Sequence, residues 1–142
     1  MPKLKINLPV TQVEKFYIKG DNLVSKTDLS GVITDVNAAF IRMSGYSRAE
    51  LLGENHNLMR HPDMPPQVFA DLWETITKGH PWRGIVKNRC KNGDHFWVDI
   101  IVVPTLKNDQ AIGYAAARSE PSRERIEKAA AWYEQLNGVR AQ

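Results

Sequence analysis

Residues 82–104 read WRGIVKNRCKNGDHFWVDIIVVP, and this stretch decides the fold. Two runs rich in β-branched and aromatic residues flank the turn signal KNGD, in which Asn92-Gly93 is the dipeptide a type I′ hairpin turn requires. The reading is a long antiparallel hairpin. Side chains alternate along a strand, so Trp82, Gly84, Val86, Asn88 and Cys90 share one face, while Arg83, Ile85, Lys87 and Arg89 share the other. The charges mark the second face as wet. On the return strand Phe96, Val98, Ile100 and Val102 oppose His95, Trp97 and Asp99, which turns the first set toward a pocket and leaves Trp97 outside. Asn88 is then an inward amide among apolar neighbours. Without partners such a group costs about 1–3 kcal/mol, so it calls for a ligand or a local carbonyl.

Working outward, QAIGYAAAR at 110–118 supplies a third consecutive strand, with Arg118 on the face of Ile112, Tyr114 and Ala116. Pro121 breaks the pattern. The segment SRERIEKAAAWYEQLNG then reads as a helix, with Ile126, Ala129, Ala130, Tyr133 and Leu136 on one stripe. That stripe needs a partner, which is either the chain's own sheet or a second copy. Upstream, Pro65 to Gly79 carries two prolines at its start and apolar Val68, Phe69, Leu72, Trp73 and Ile76 at helical spacing. Farther back, LVSKTD and VITDV are β-prone runs joined at Ser30-Gly31. Asn37 stands at the start of a helix that Gly45 stops, and Ser47 with Glu50 forms a capping box closed by Gly53. The order is two strands, short helices, a longer helix, three strands and a terminal helix. It implies an α+β domain, a five-stranded antiparallel sheet with helices on one face enclosing a pocket. The divisions are an N-terminal arm at 1–20, a central domain at 21–120 and a C-terminal helix at 121–142.

Composition narrows the function classes. The chain has 142 residues, 42% apolar and 25% charged, the profile of one globular domain with a core of its own. A net charge of +3 is too small to argue for nucleic acid. The single cysteine, Cys90, rules out an internal disulfide and a paired-thiolate zinc site, and suits a reducing cytoplasm. It reads as a small core residue, since no neighbouring group in the sequence lowers its pKa. No apolar run reaches the ~20 residues a membrane span needs. Hydrolase, kinase and dinucleotide-glycine motifs are all missing.

The irregular stretch HNLMRHPDMPP concentrates His56, Arg60, His61 and Asp63, and a long loop beside a pocket is a common place for function. Arg60 offers a fork for phosphate or carboxylate, His61 a switchable donor and Asp63 an acceptor. Such a set suits a nucleotide tail. Equally, Asp63 is placed to cap the following helix, with Arg60 paired to it and His61 packed under a proline. A metal reading is weak, because His56 and His61 are five apart in a loop with only one carboxylate near.

These residues carry a resemblance. TDLSGVITDVNAAFIRMSGYSRAELLGENHNLMRHPDMP followed by WRGIVKNRCKNGDHFWVDIIVVP resembles a PAS domain of the aerotaxis-receptor type, over about residues 20 to 120. VITDVNAAF, GYSRAELLG and KNGDHFWV carry the fold, while NLMRHPDMP with Trp82 and VKNRCKNG is similar to the subgroup that holds FAD noncovalently as a redox sensor. The resemblance implies that Arg60, His61 and Asp63 bind the FAD tail, Trp82 walls the pocket, Asn88 meets the flavin edge and Asn37 aids retention. It also implies a sensor and not an enzyme. Light-sensing relatives have a reactive cysteine before this loop, where this chain has HNLMR. Arg118 stands near their last-strand glutamine, and a guanidinium there is suited to reading a flavin anion.

The expectation is an FAD-binding module that reports redox state or oxygen supply to a downstream domain. Reduction turns the flavin N5 from acceptor to donor, so Asn88 or Arg118 reorganises and the sheet passes this outward. Trp97 and the terminal helix are the expected receivers, with a homodimer through the sheet face, the arm or that helix. A ligand-free PAS adaptor is the alternative, and a haem sensor, with His56 or His61 as axial ligand, is a third.

Overall fold

The computed structural model describes residues 7–141; the first six positions of the expected arm lie outside the described residues. Five strands, β1 (Leu23–Asp28), β2 (Ile33–Val36), β3 (Trp82–Arg89), β4 (His95–Lys107) and β5 (Gln110–Ser119), form one antiparallel sheet in the order β2-β1-β5-β4-β3. Between β2 and β3 come α1 (Ala38–Ser44), α2 (Arg48–Leu51), a 3-10 helix at His56–Met59 and α3 (Pro66–Thr77); α4 (Arg123–Ala141) closes the chain. This is the expected α+β sheet with its short helices on one face. The 3-10 helix falls inside the stretch HNLMRHPDMPP, which reads as irregular in the sequence.

Local chemistry sets most boundaries. Asn37 Oδ1 accepts from the Phe40 and Val24 amides, and its Nδ2 donates to the Asn22 carbonyl, so one side chain starts α1 and ties it to β1. Ser47 and Glu50 form the reciprocal capping box of α2. Gly45 ends α1 at φ 78°, where a side chain would be strained.

One turn differs from expectation. Gly93 has a positive φ but Asn92 does not, and the Gly93 amide donates to the Cys90 carbonyl. This is a turn centred on Lys91-Asn92 with glycine in the left-handed position after it, so Asn92-Gly93 is not type I′. The wider loop gives the arm a docking point, since the Thr11 amide donates to the Gly93 carbonyl and a Cβ on Gly93 would lie 2.8 Å from the Pro9 carbonyl oxygen. Both central residues have positive φ instead at Asn108-Asp109, between β4 and β5.

The core lies between the sheet and α1–α3, with Leu23, Ile33, Phe40, Leu51, Met64, Phe96 and Val98 almost fully buried. On the other face, α4 folds back onto its own sheet. The Tyr133 hydroxyl donates to the Ile85 carbonyl, its ring stacks on Trp97 with centroids 6.4 Å apart, and Asn137 donates to the Asp63 carbonyl. Trp97 therefore faces outward as expected but is buried at 7% exposure. This packing corrects the exposed indole expected at Trp97 and decides between the two partners open to the stripe in favour of the chain's own sheet, using Ile126, Ala129 and Tyr133.

From Asn7 onward the arm is built into the fold. His95 exchanges backbone hydrogen bonds with Val13 and Lys15, extending the sheet where β4 has outrun β5. Farther along, Asn7 Nδ2 lies within hydrogen-bond distance of three carbonyls, those of Asn57 (3.0 Å), Leu58 (3.3 Å) and Arg60 (2.8 Å).

Candidate functional site

A cavity of about 90 Å³ lies between the inner face of the sheet and the wall made by the 3-10 helix and α3. Alternation puts Ser25 and Thr27 of β1, Val86 and Asn88 of β3, Ile100 and Val102 of β4, and Tyr114, Ala116 and Arg118 of β5 on its floor. Met59, Phe69, Leu72, Trp73 and Ile76 supply the apolar roof, with His56 and Arg60 beside them. Among the described residues no acidic side chain lines this cavity.

Two floor residues carry unmet polarity. Asn88 is 7% exposed and its Oδ1 is buried with no hydrogen-bond partner. Arg118 is 8% exposed; Nη1 donates to Ser25 Oγ at 2.9 Å, the guanidinium lies 5.0 Å from the Phe40 ring centroid, and Nε is buried with no partner. Burial pushes the Arg118 pKa down to about 10, which leaves it charged at neutral pH. Burial, with the Arg118 charge adding to it, pushes His56 down to about 4, so His56 is neutral. Arg60 lies over the Phe69 ring at 4.8 Å and donates to the Met64 carbonyl at 3.3 Å.

The seven sequence-selected residues therefore divide. Asn88, Arg118 and Arg60 converge on the cavity. His61 is 2% exposed but lies outside the lining, its Nδ1 accepting from the Asp63 amide and its ring edge-on to His95. Asp63 is exposed and pairs with Lys87 at 3.0 Å; it neither caps α3, whose N-cap is Pro65 without a side-chain bond, nor pairs with Arg60. Trp82 lies at the rim of a separate surface groove, its indole N–H donating to Asp71 at 2.8 Å and its ring resting on Gly84. Asn37 is fully occupied as a cap.

Sequence reading passed over Ser25, although the alternation Leu23, Ser25, Thr27 along β1 carries the signal. His56, read in the loop and weighed there as a metal or haem ligand, lines the cavity as well. No cluster of three or more metal-ligating side chains occurs among the described residues. Cys90 is buried, with its pKa raised to about 11 by burial, as befits a core thiol. No described helix is long and apolar enough to cross a membrane.

Comparisons with known proteins agree with this architecture. Residues 33–117 match the family described as PAS fold. The aerotaxis receptor of Escherichia coli is 45% identical over 131 residues, covering 92% of this chain and 26% of that protein. A nitrogen fixation regulatory protein of Klebsiella pneumoniae is 37% identical over 83 residues, 58% of this chain and 17% of that one. The chain thus spans about a quarter or less of these relatives. Among solved structures, the LOV domain of the blue-light photoreceptor Aureochrome1 superposes with a TM-score of 0.65 at 20% identity, over 84% of this chain and 85% of that one, a likeness of fold.

Proposed function

The chain belongs to the PAS-fold family, and from that premise we propose that it is a sensory module that binds FAD noncovalently and reports redox state or oxygen supply to a downstream signalling domain. The observation that carries this reading is the pair of unmet polar groups, Asn88 Oδ1 and Arg118 Nε, on the floor of an otherwise largely apolar cavity. Buried polar atoms without partners are rare in native proteins and point to a missing ligand. Likeness to an aerotaxis receptor along most of the chain supports the sensory role.

The residues fit a flavin in chemistry. Asn88 Oδ1 accepts from a ring N–H, Arg118 donates to a ring oxygen or nitrogen, and the Arg60 fork beside the cavity suits a phosphate. In volume the cavity is smaller than the flavin tricycle. The floor is held by ladder hydrogen bonds, so the 3-10 helix and α3 are the wall that gives way. Bound FAD supplies a two-electron couple whose reduction alters ring charge and N–H pattern. Asn88 would be the residue to hold the ring edge, and β3 links it to Ile85, three residues away, whose carbonyl holds Tyr133 of α4. Association of two copies through the remaining sheet face or the arm, where Phe16, Ile18, Ile101 and Val103 are exposed, completes the proposal.

The test is the visible spectrum of the purified protein, with FAD added to any colourless fraction and the bound cofactor released by heat and identified. Flavin bands and released FAD support the reading. A colourless protein that takes up no FAD overturns it in favour of a ligand-free adaptor, the reading that the small cavity volume favours; a Soret band identifies haem instead.

A further inference from the structure

Arg118 occupies the middle of the sheet, facing Leu23 of β1 on one side and Ile100 of β4 on the other. Its guanidinium donates to the neutral Ser25 hydroxyl and lies against the Phe40 ring, and among the described residues no carboxylate lines the cavity. Tyr17, whose charge would balance it, has its pKa raised by burial and remains a neutral phenol. A buried cation without a counter-charge is a standing electrostatic cost. An anion entering the cavity relieves that cost, and a neutral molecule of the same shape does not. Asn88 and His56 are neutral and cannot make this distinction, and Arg60, the other cation lining the cavity, stands over the Phe69 ring and donates to the Met64 carbonyl on the roof side, away from the floor that Arg118 occupies.

We propose that Arg118 makes the cavity selective for ligand charge, holding the reduced, anionic flavin more tightly than the neutral oxidised one. This rests on the FAD reading and deepens it: the module is a redox sensor whose potential is raised by its own unbalanced guanidinium. A ligand can shift an equilibrium only by its differential affinity for the two states, and Arg118 provides that difference. Ser25 is the position at which a counter-charge can be introduced, because its hydroxyl accepts directly from the guanidinium.

The experiment compares the midpoint potential of bound FAD with that of free FAD, and the affinity for oxidised FAD, in the intact chain and in Arg118→Gln, Arg118→Lys and Ser25→Asp. Dithionite delivers two electrons, a proton from water joins the ring, and the dithionite leaves as sulfite; mildly alkaline buffer keeps the reduced ring anionic. Arg118→Gln is expected to lower the bound potential by about 30 mV or more, which is a tenfold loss of relative affinity for the reduced form in a two-electron couple. Ser25→Asp keeps the arginine but supplies a carboxylate, and is expected to shift the potential in the same direction. Arg118→Lys keeps the charge and most of the potential. If Arg118→Gln fails to fold, Ser25→Asp decides. Equal weakening of both oxidation states, or unchanged potentials in the folded variants, overturns the proposal while leaving FAD binding intact. Absence of FAD uptake by the unmodified chain overturns both.

Discussion

Arg60 and Asn88 face each other across an isolated antiparallel bridge, so the residue that ends the 3-10 helix is tied by its backbone to the strand that carries the inward amide. Both side chains also line the cavity. A ligand that reorients Asn88 therefore acts on β3 and on the cavity roof together, without a separate relay.

The first expectation concerns opposite signs at one residue. Asn88 Oδ1 is buried without a partner, and such an atom costs about 1–3 kcal/mol that an apolar group of similar shape does not incur. Asn88→Leu should leave the melting temperature of the ligand-free chain unchanged or raise it, while weakening FAD binding about tenfold or more, the equivalent of one hydrogen bond to the ring. A variant that is clearly less stable without ligand would show that Asn88 serves the fold instead.

Asn7 is the second. Its amide reaches the carbonyls of Asn57, Leu58 and Arg60, and Asn57 and Arg60 line the cavity. Asn7→Ala should cost about 1–3 kcal/mol in denaturant unfolding. It should also speed hydrogen exchange at the Leu58 and Arg60 amides, which close the turns of the 3-10 segment, while exchange within β4 and β5 stays as it was. Uniform acceleration across the sheet would mean that the arm stabilises the whole fold and not this wall.

What was legible in the sequence follows from how local the cause is. Caps and periodicity are written within a few residues, so α1, α2, α3 and the alternation of β3 and β4 were readable from Asn37, Ser47, Glu50 and the apolar spacing. Asn88 and Arg118 were readable too, because strand alternation fixes the face. Trp82 had the right face but the wrong neighbour: its indole finds Asp71 on α3, a contact no periodicity encodes. Asp63 and His61 depend on loop geometry and on Lys87 and His95 from distant strands. Asn92-Gly93 failed as a type I′ turn because a five-residue loop from Cys90 to Asp94 docks the arm.

Acid should destabilise the chain in a defined window. His56 and His61 have folded pKa values of about 4, lowered chiefly by burial, against an ordinary 6.5; burial lowers His95 as well. Above pH 6.5 these rings are neutral in folded and unfolded chains alike. Between 6.5 and 4 the unfolded chain takes up protons that the folded chain resists, so stability falls as pH falls. Asp63 and Asp99 have lowered pKa values, and their contribution is lost only at still lower pH. Urea midpoints should drop between pH 7 and 5, and less steeply in a His56→Gln/His61→Gln double variant. An equal slope in that variant would assign the acid sensitivity to other groups.

The terminal helix provides the last prediction, because it tests the outward route from the cavity. Tyr133 has its pKa raised to about 12 by burial, so it stays a donor, and its bond to the Ile85 carbonyl fixes α4 to β3 three residues from Asn88. Trp97 beneath it is shielded by the same ring. Tyr133→Phe retains the stacking but removes the bond, and should cost about 1 kcal/mol. Tyr133→Ala removes both and should cost about 3–5 kcal/mol if α4 stays docked, or less with α4 released and Trp97 exposed. Trp97 has three other tryptophans for company, so its emission is best read in a background where Trp73, Trp82 and Trp132 are replaced by Phe. In that background FAD reduction should shift the Trp97 emission, and Tyr133→Phe should diminish the shift. An emission change of equal size in both would mean that the signal leaves the cavity by another path, with β3 and Ile85 playing no part in it.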